Sequence, residues 1–309
     1  MSRSLPMRLL HLQTVAVIII VGAAAAAFAQ NPNADPLFGE KKIKNYLPHM
    51  TWVEVEAALK HTDAVIIPVG SIEQHGRHLP LGTDSTEAIE VAKLIAQKAD
   101  VLVAPVVLAG LSSHHMGFPG TITLSPETFE AVVYETATSL IKHGFRKILL
   151  YNGHGGNATS VAAIIQKIDQ TTPATAFDLG KVEVARKEPI YPPIPWDVHA
   201  GIEETSLMLY LAGSLVNMSE AVNPVLTFPA EVTALDALGK ADPALAELAR
   251  EMRFRPQDTG KKTSTREMSD TGSVTTGDLR RASAERGRRE IEGFIDAAAR
   301  FIEAWRKAK

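Results

Sequence analysis

Residues 64–84 read Ala64-Val-Ile-Ile-Pro-Val69 and then Gly70-Ser-Ile-Glu-Gln-His-Gly-Arg-His-Leu-Pro-Leu-Gly-Thr-Asp84. The first six residues form an apolar run rich in Val and Ile, the pattern of a buried strand. The next fifteen hold Glu73, His75, His78 and Asp84. The polar cluster thus begins where a strand ends, the edge at which open α/β sheets form ligand sites. Glu, His and Asp are also side chains that hold divalent metals. Glu73 and His75 are two apart, so an extended segment turns both to one face. Asp84 comes within reach if Gly76 to Gly82 folds back, and its two oxygens could then bridge two metals. Two ions about 3.5–4 Å apart can clamp an attacking hydroxide and a substrate oxygen together. A polar loop with solvated charges is the other reading of these residues alone.

Working outward, Thr51-Trp-Val-Glu-Val-Glu-Ala-Ala-Leu59 predicts a short helix, with Thr51 as N-cap and Glu54 at the capping-box position. Helical spacing returns over Ser85 to Lys98. Val101 to Leu108 is a second apolar strand, and its Pro105 argues for an edge or a strand end. A loop over Gly110 to Thr121 leads to a helix with Pro126 at its first position, running to about Lys142. Lys147 to Tyr151 is a third strand, Asn152-Gly-His-Gly-Gly-Asn157 a glycine-rich turn, and Ala158 to Gln170 a helix. This strand–loop–helix repetition predicts an α/β fold with a largely parallel sheet. Pro189 to Trp196 is a proline-rich loop, and Leu207 to Leu215 a helix. Residues 222–275 read as loop-rich, and Arg280 to Lys309 as a long amphipathic helix.

Composition bounds the function. Hydrophobic residues make up 45% and charged residues 22% of 309, which is ordinary for a globular chain. A net charge of −3 offers no basic surface for nucleic acid. The chain has no cysteine, so disulfides, thiolate catalysis and thiolate metal ligation are excluded. Any transition metal is left to His and carboxylates, a ligand set that suits zinc, manganese or iron. At the N-terminus, Arg3 and Arg8 precede an apolar run from Val15 to Phe28 and a small-x-small site at Ala27-Phe-Ala29. That architecture predicts a signal peptide over residues 1–29. It implies export to the periplasm or outside the cell, with no stable membrane insertion after cleavage. An uncleaved anchor is the alternative. Residues 30–309 are read as a single domain.

Two further clusters carry chemistry. His154 sits between glycines just after a strand, where a bound group can approach the backbone. The alternative is an anion-binding turn at a helix N-terminus. His199, Glu203 and Glu204 enter a helix, where acids are also favoured by the dipole. Three clusters of histidine and carboxylate point to one joint site.

Residues 70–84 resemble the signature of the creatininase (creatinine amidohydrolase) family. So do Phe118-Pro-Gly-Thr121, Asn152-Gly-His-Gly-Gly-Asn157 and His199-Ala-Gly-Ile-Glu-Glu-Thr-Ser206, in the same order. Thr276-Gly-Asp278 and Ala282-Ser-Ala-Glu-Arg-Gly287 are weaker matches. The resemblance implies a three-layer α/β/α sandwich, often a hexamer, with two divalent ions, commonly zinc or manganese. It implies hydrolysis of carbon–nitrogen bonds in cyclic or linear amides. Glu73, His75, Asp84 and His154 fall on the family's metal-ligand positions, with Asp84 bridging. Creatininase itself carries a further glutamate where this chain has Gly156. In branches with the Gly-His-Gly-Gly-Asn turn, the carboxylate of the later segment is the replacement, here Glu204. Ile202 is a second departure, because many relatives have Glu there.

The resulting expectation is a metal-dependent amidohydrolase acting on a small amide. Glu73 and His154 would hold one ion, His75 and Glu204 the other, with Asp84 across both. His199 is the proton donor to the leaving nitrogen, or else only orients Glu204. His78, His115, Gly155, Gly156 and Trp196 are expected around the substrate. The rival classes are a metal-bound binding protein without turnover, a short-peptide hydrolase, and a dinuclear phosphoesterase. The last is disfavoured because no Arg or Lys lies in 152–157 or 198–206.

Overall fold

The computed structural model describes residues 41–184, 189–194, 196–227, 230–246 and 264–307. The expected signal segment 1–29 lies outside them. In chain order the elements are α1 (Trp52–Leu59), β1 (Ala64–Val69), α2 (Thr83–Ala99), β2 (Leu102–Val103), α3 (Pro126–Lys142), β3 (Lys147–Asn152), α4 (Ala158–Thr171) and β4 (Thr175–Asp178). There follow β5 (Asp197–His199), α5 (Ile202–Ala212), α6 (Ala230–Ala241), α7 (Thr265–Met268), β6 (Val274–Thr275) and α8 (Ala284–Lys307). No helix among the described residues is long and apolar enough to cross a membrane.

Strand β1 has no polar face, and all six of its residues are buried. Such a strand needs cover on both sides, and the sheet supplies it. Four parallel strands run in the order β2-β1-β3-β4. Alternation in β1 divides the core. Ala64 and Ile66 pack with Leu149 of β3 against Val91 and Ile95 of α2 and Ile295 and Ile302 of α8. Val65, Ile67 and Val69 pack with Ile148 and Leu150 against Phe129 and Val133 of α3 and Val161 and Ile164 of α4. The result is the helix–sheet–helix sandwich that parallel strands demand. Burying one such Ile or Leu contributes about 1.5–3 kcal/mol.

Several boundaries follow from local chemistry. The Thr51/Glu54 capping box at α1 forms as the sequence predicts, and such a cap contributes about 1 kcal/mol. Strand β2 is shorter than the apolar run suggests, and it lies at the sheet edge. Pro105 has no N–H to continue the ladder, and contact with β1 resumes only as a single bridge between Val69 and Val107.

Two helices start earlier than their spacing predicts, and both shifts matter for the site. Helix α2 begins at Thr83, because Thr83 closes a turn onto Pro80 O through both its N–H and its hydroxyl. Asp84 is therefore a first-turn residue, where a carboxylate is favoured. Helix α5 begins at Ile202 because Asp197, five residues upstream, caps it. Asp197 accepts from Ile202 N and Glu203 N, both at 2.9 Å. This puts Glu203 and Glu204 in the first turn. Part of the segment read as loop-rich is also helical, over α6 and α7.

Candidate metal centre

The site forms where β1 and β3 end. Gly70 and Gly153 let the two strand ends approach α2 closely. A Cβ at Gly70 would lie 2.4 Å from Ser85 Cα, and one at Gly153 would lie 2.4 Å from Asp84 O. Only a residue without a side chain permits that contact, and it brings Asp84 over the strand ends.

Asp84 is buried and stands between two histidines. Its Oδ1 is 3.0 Å from His75 Nε2, and its Oδ2 is 3.0 Å from His154 Nδ1. Each histidine has its other nitrogen on a backbone carbonyl. His75 Nδ1 donates to Glu73 O at 3.0 Å, and His154 Nε2 donates to Leu111 O at 3.1 Å. These anchors fix the rings and turn the remaining nitrogen of each toward Asp84. Glu204 Oε1 lies 3.4 Å from His75 Nε2. The Glu73 carboxylate lies on the other side, with Oε2 3.3 Å from His154 Nε2. The structure thus brings together Glu73, His75, Asp84, His154 and Glu204, residues drawn from three separate stretches of sequence.

Glu204 reaches the cluster because Ala200, at φ +46°, turns the chain sharply before α5. The Ala200 N–H then donates to the Glu204 carboxylate. Gly156 is pressed against His154. A Cβ there would lie 2.4 Å from His154 Nε2 and 2.4 Å from Leu111 O. With His154 held on Leu111, position 156 has no room for a side chain. Ile202 is fully buried, and its Cδ1 lies against Gly277. Glu203 is exposed, 3.9 Å from Arg286 Nη2.

A second layer of histidines borders Glu73. His115 Nε2 lies 3.2 Å from Glu73 Oε1, and His199 Nδ1 lies 3.7 Å from the same oxygen. The ring of His199 stands between those of His75 (4.4 Å) and His115 (4.3 Å). Gln74 orders this layer. Its Nε2 is 3.0 Å from Gly272 O and 2.9 Å from His115 Nδ1, while His199 Nε2 is 2.7 Å from Gln74 O. One assignment satisfies these three contacts and leaves a fourth, Gln74 Nε2 to His199 Nε2 at 3.0 Å, without a hydrogen bond. His199 Nε2–H donates to Gln74 O, and the two Gln74 amide hydrogens go to Gly272 O and His115 Nδ1. His199 Nδ1 then carries a lone pair that faces the carboxylates.

The electrostatics are those of a carboxylate excess. Burial opposes charge on His75, yet Asp84 and Glu204 raise it well above its ordinary value. Burial also opposes charge on His154, but the Asp84 carboxylate 3.0 Å away, with Glu73, raises it to about 9. Burial works against ionised Asp84, and His75 and His154 still hold it low. His199 is pushed down to about 3 by burial, with His115 and His75 adding to the effect. His115 is likewise held at about 3, by burial and then by His75 and His154.

The residues expected around a substrate are dispersed. His78 is buried and bonds Thr205 Oγ1 at 2.8 Å, which ties the 70–84 loop to α5. Gly155 is exposed with open space over it, and Trp196 is half-buried at the start of β5. Neither lines the cavity of about 330 Å³ that adjoins His199 and Glu204. That cavity is walled by α2, β5, α5 and α8. It exposes a residue that the sequence reading missed, Glu87, one helical turn beyond Asp84. Burial, then the charges of Glu204 and Asp84, push Glu87 well above its ordinary value. His114 is a second omission as a possible ligand. It joins Glu73 and His154 in a group whose donor atoms lie within 4.8 Å of one another.

Fold and site together define an α/β protein with a histidine–carboxylate centre suited to divalent ions. Residues 48–302 match the Creatininase family, described as creatinine amidohydrolase, and the chain belongs to that family. Its class is hydrolases acting on carbon–nitrogen bonds. The mycofactocin precursor peptide peptidase of Mycolicibacterium smegmatis is 32% identical over 247 residues, covering 78% of this chain and 85% of that protein. The creatinine amidohydrolase of Pseudomonas putida is 32% identical over 204 residues, covering 60% and 78%. The solved structure of a putative creatinine amidohydrolase from Bacteroides fragilis is alike in fold, with TM-score 0.64, 23% identity and coverage of 87% and 99%. Creatininases solved as a Zn-Zn type and with manganese give TM-score 0.63 at 23% identity, covering 87% of this chain and 100% of theirs.

Proposed function

We propose that this protein is an amidohydrolase that uses two divalent ions, zinc or manganese, to cleave a small cyclic or linear amide. One observation carries the reading. Asp84 turns its two oxygens to two different histidines, each oriented by a backbone carbonyl. The donor set also fits a pair of cations. Both oxygens of buried Glu73 and Oδ2 of Asp84 accept no well-aligned hydrogen bond, a costly state for buried carboxylates unless a cation completes it. Glu73 and His154 would hold one ion, His75 and Glu204 the other, and Asp84 both. Iron has compatible ligand chemistry. Bound there, the ions would supply a water of lowered pKa and a Lewis acid for the amide oxygen.

The chain's own residues do the rest. His199 is neutral and its Nε2–H is committed to Gln74 O, so it carries no spare proton. Its free Nδ1 accepts a proton from the attacking water and passes it to the leaving nitrogen. Gln74 keeps that tautomer, and the His75 and His115 rings keep the imidazole in place. Export through residues 1–29 and assembly as a hexamer belong to the same proposal. N-terminal sequencing of the exported chain and light scattering on the purified protein test them.

The direct test of the activity is a panel of creatinine, formamides, lactams and short peptides, assayed with zinc- or manganese-loaded enzyme. Turnover that chelation abolishes and either metal restores is the expected result. Bound metal with no turnover on any member would favour a ligand-binding protein instead. Short peptides are the second reading, favoured by the 32% identity to a peptide peptidase over most of both chains.

A further inference from the structure

The cavity beside Glu204 carries five carboxylates, from Glu87, Asp197, Glu203, Glu204 and Glu290. Four of them have partners. Asp197 caps α5 through both oxygens. Glu290 lies 3.0 Å from Arg286 Nη2, and Glu203 lies 3.9 Å from the same nitrogen. Glu204 binds Ala200 N and faces His75. Glu87 is different. It is only 9% exposed, and its Oε1 is buried with no hydrogen-bond partner. Among the described residues no Lys or Arg pairs with it. The rest of the wall is His199, Gly201 and Gly287 with the apolar side chains of Val198, Leu207 and Ile291. A buried carboxyl that lacks a hydrogen-bond partner and lines a partly apolar cavity matches an organic cation on a short aliphatic arm.

We propose that Glu87 is a specificity residue, which binds an ammonium or guanidinium group carried by the substrate while the amide lies at the Asp84 centre. This rests on the amidohydrolase reading and narrows its substrate class to amides with a positively charged substituent. The Glu87 carboxylate accepts the charge-assisted hydrogen bond, and Val198, Leu207 and Ile291 cover the arm. A neutral substrate of the same shape leaves Glu87 unpaired and is discriminated against.

Two arms test this. In the first, metal-loaded protein is titrated calorimetrically with n-butylguanidinium, n-butylammonium and the uncharged n-butylurea. Wild type is expected to bind the cations at least about tenfold more tightly than the urea. Glu87→Gln should erase the preference, with metal content and thermal midpoint unchanged. Glu87→Leu, which removes an unpaired buried carboxyl, is the second variant should Glu87→Gln misfold. No preference in wild type, or a preference that survives in the folded variant, overturns the proposal. So does an extra equivalent of zinc or manganese that wild type binds and the variant loses.

In the second arm, kcat/KM is compared for 4-guanidinobutanamide and 4-ureidobutanamide. The ratio should favour the guanidinium amide and fall about 30-fold in Glu87→Gln. Equal hydrolysis of both amides by wild type overturns the subsite and leaves the hydrolase reading intact. Cation preference in binding, with neither these two amides nor any member of the panel above hydrolysed, overturns the hydrolase reading and supports the subsite.

Discussion

Helix α2 buries two sets of charges, and they are resolved in opposite ways. Near its C-terminal half, Glu90 and Lys93 are each about 1% exposed and pair at 2.7 Å. That set is balanced within one helical turn. At the N-terminal end, Asp84 and Glu87 meet Glu73 and Glu204. Among the described residues the ion-pair partners of Glu73, Asp84 and Glu204 are histidines, with no Lys or Arg. Buried charge alone does not make a site, because the Glu90–Lys93 pair is as buried as Asp84. Unbalanced charge does, because a carboxylate excess in a low dielectric must be met by protons or by added cations.

The comparison breaks most visibly at Asp84. Asp84→Asn removes the one group that faces both histidines. It should cost at least about 1,000-fold in kcat/KM and the bound metal, with the far-ultraviolet circular dichroism retained. Activity within tenfold of wild type would remove Asp84 from the account. At the balanced end, Lys93→Met removes the buried ammonium that faces Glu90 at 2.7 Å. It should cost about 3–5 kcal/mol in denaturant unfolding, with metal per folded chain unchanged. A loss of metal without a loss of stability would mean the two ends of α2 are not independent.

A smaller effect concerns pH. In chelated protein, His154 is held at about 9 against an ordinary 6.5. Its contribution is fully present below 6.5 and is lost as the pH rises through 9. Unfolding free energy should therefore fall by on the order of 3 kcal/mol between those values. His75 is raised too and acts in the same direction. His115 and His199, held at about 3, act oppositely and remove stability as the pH falls from 6.5 toward 3. Stability of the chelated chain should thus peak near pH 6.5 and decline on both sides. Metal-loaded protein should show a flatter profile above 6.5, since the ions compete for the same nitrogens. A chelated profile that rises toward pH 9 would contradict the electrostatics.

Much of this was legible from residue order. The apolar 64–69 run and the strand–loop–helix repetition predicted an α/β fold with a largely parallel sheet, and Thr51 a helix start, because each rests on local pattern; the three-layer sandwich followed only from the family resemblance. The cluster of Glu73, His75 and Asp84 was legible from its position after a strand. Glu87 was not, because the spacing suggested that α2 starts at Ser85. Once the helix begins at Thr83, Asp84 and Glu87 fall one turn apart on one face. The start of α5 was hidden for a related reason. Its cap comes from Asp197 across a tight turn, a contact that no helical periodicity encodes. The crowding at Gly156 was also invisible, because it depends on where Leu111 O and the His154 ring meet in space.

That crowding leads to the central claim, that Glu204 provides the carboxylate for which position 156 has no room. Metal counting on purified wild type and Glu204→Ala, by plasma mass spectrometry after equilibration with limiting zinc or manganese, tests it most directly. The account predicts two ions per wild-type chain and one per Glu204→Ala chain, the one that remains being held by Glu73, Asp84 and His154. Two ions bound by Glu204→Ala with unchanged affinity would contradict it.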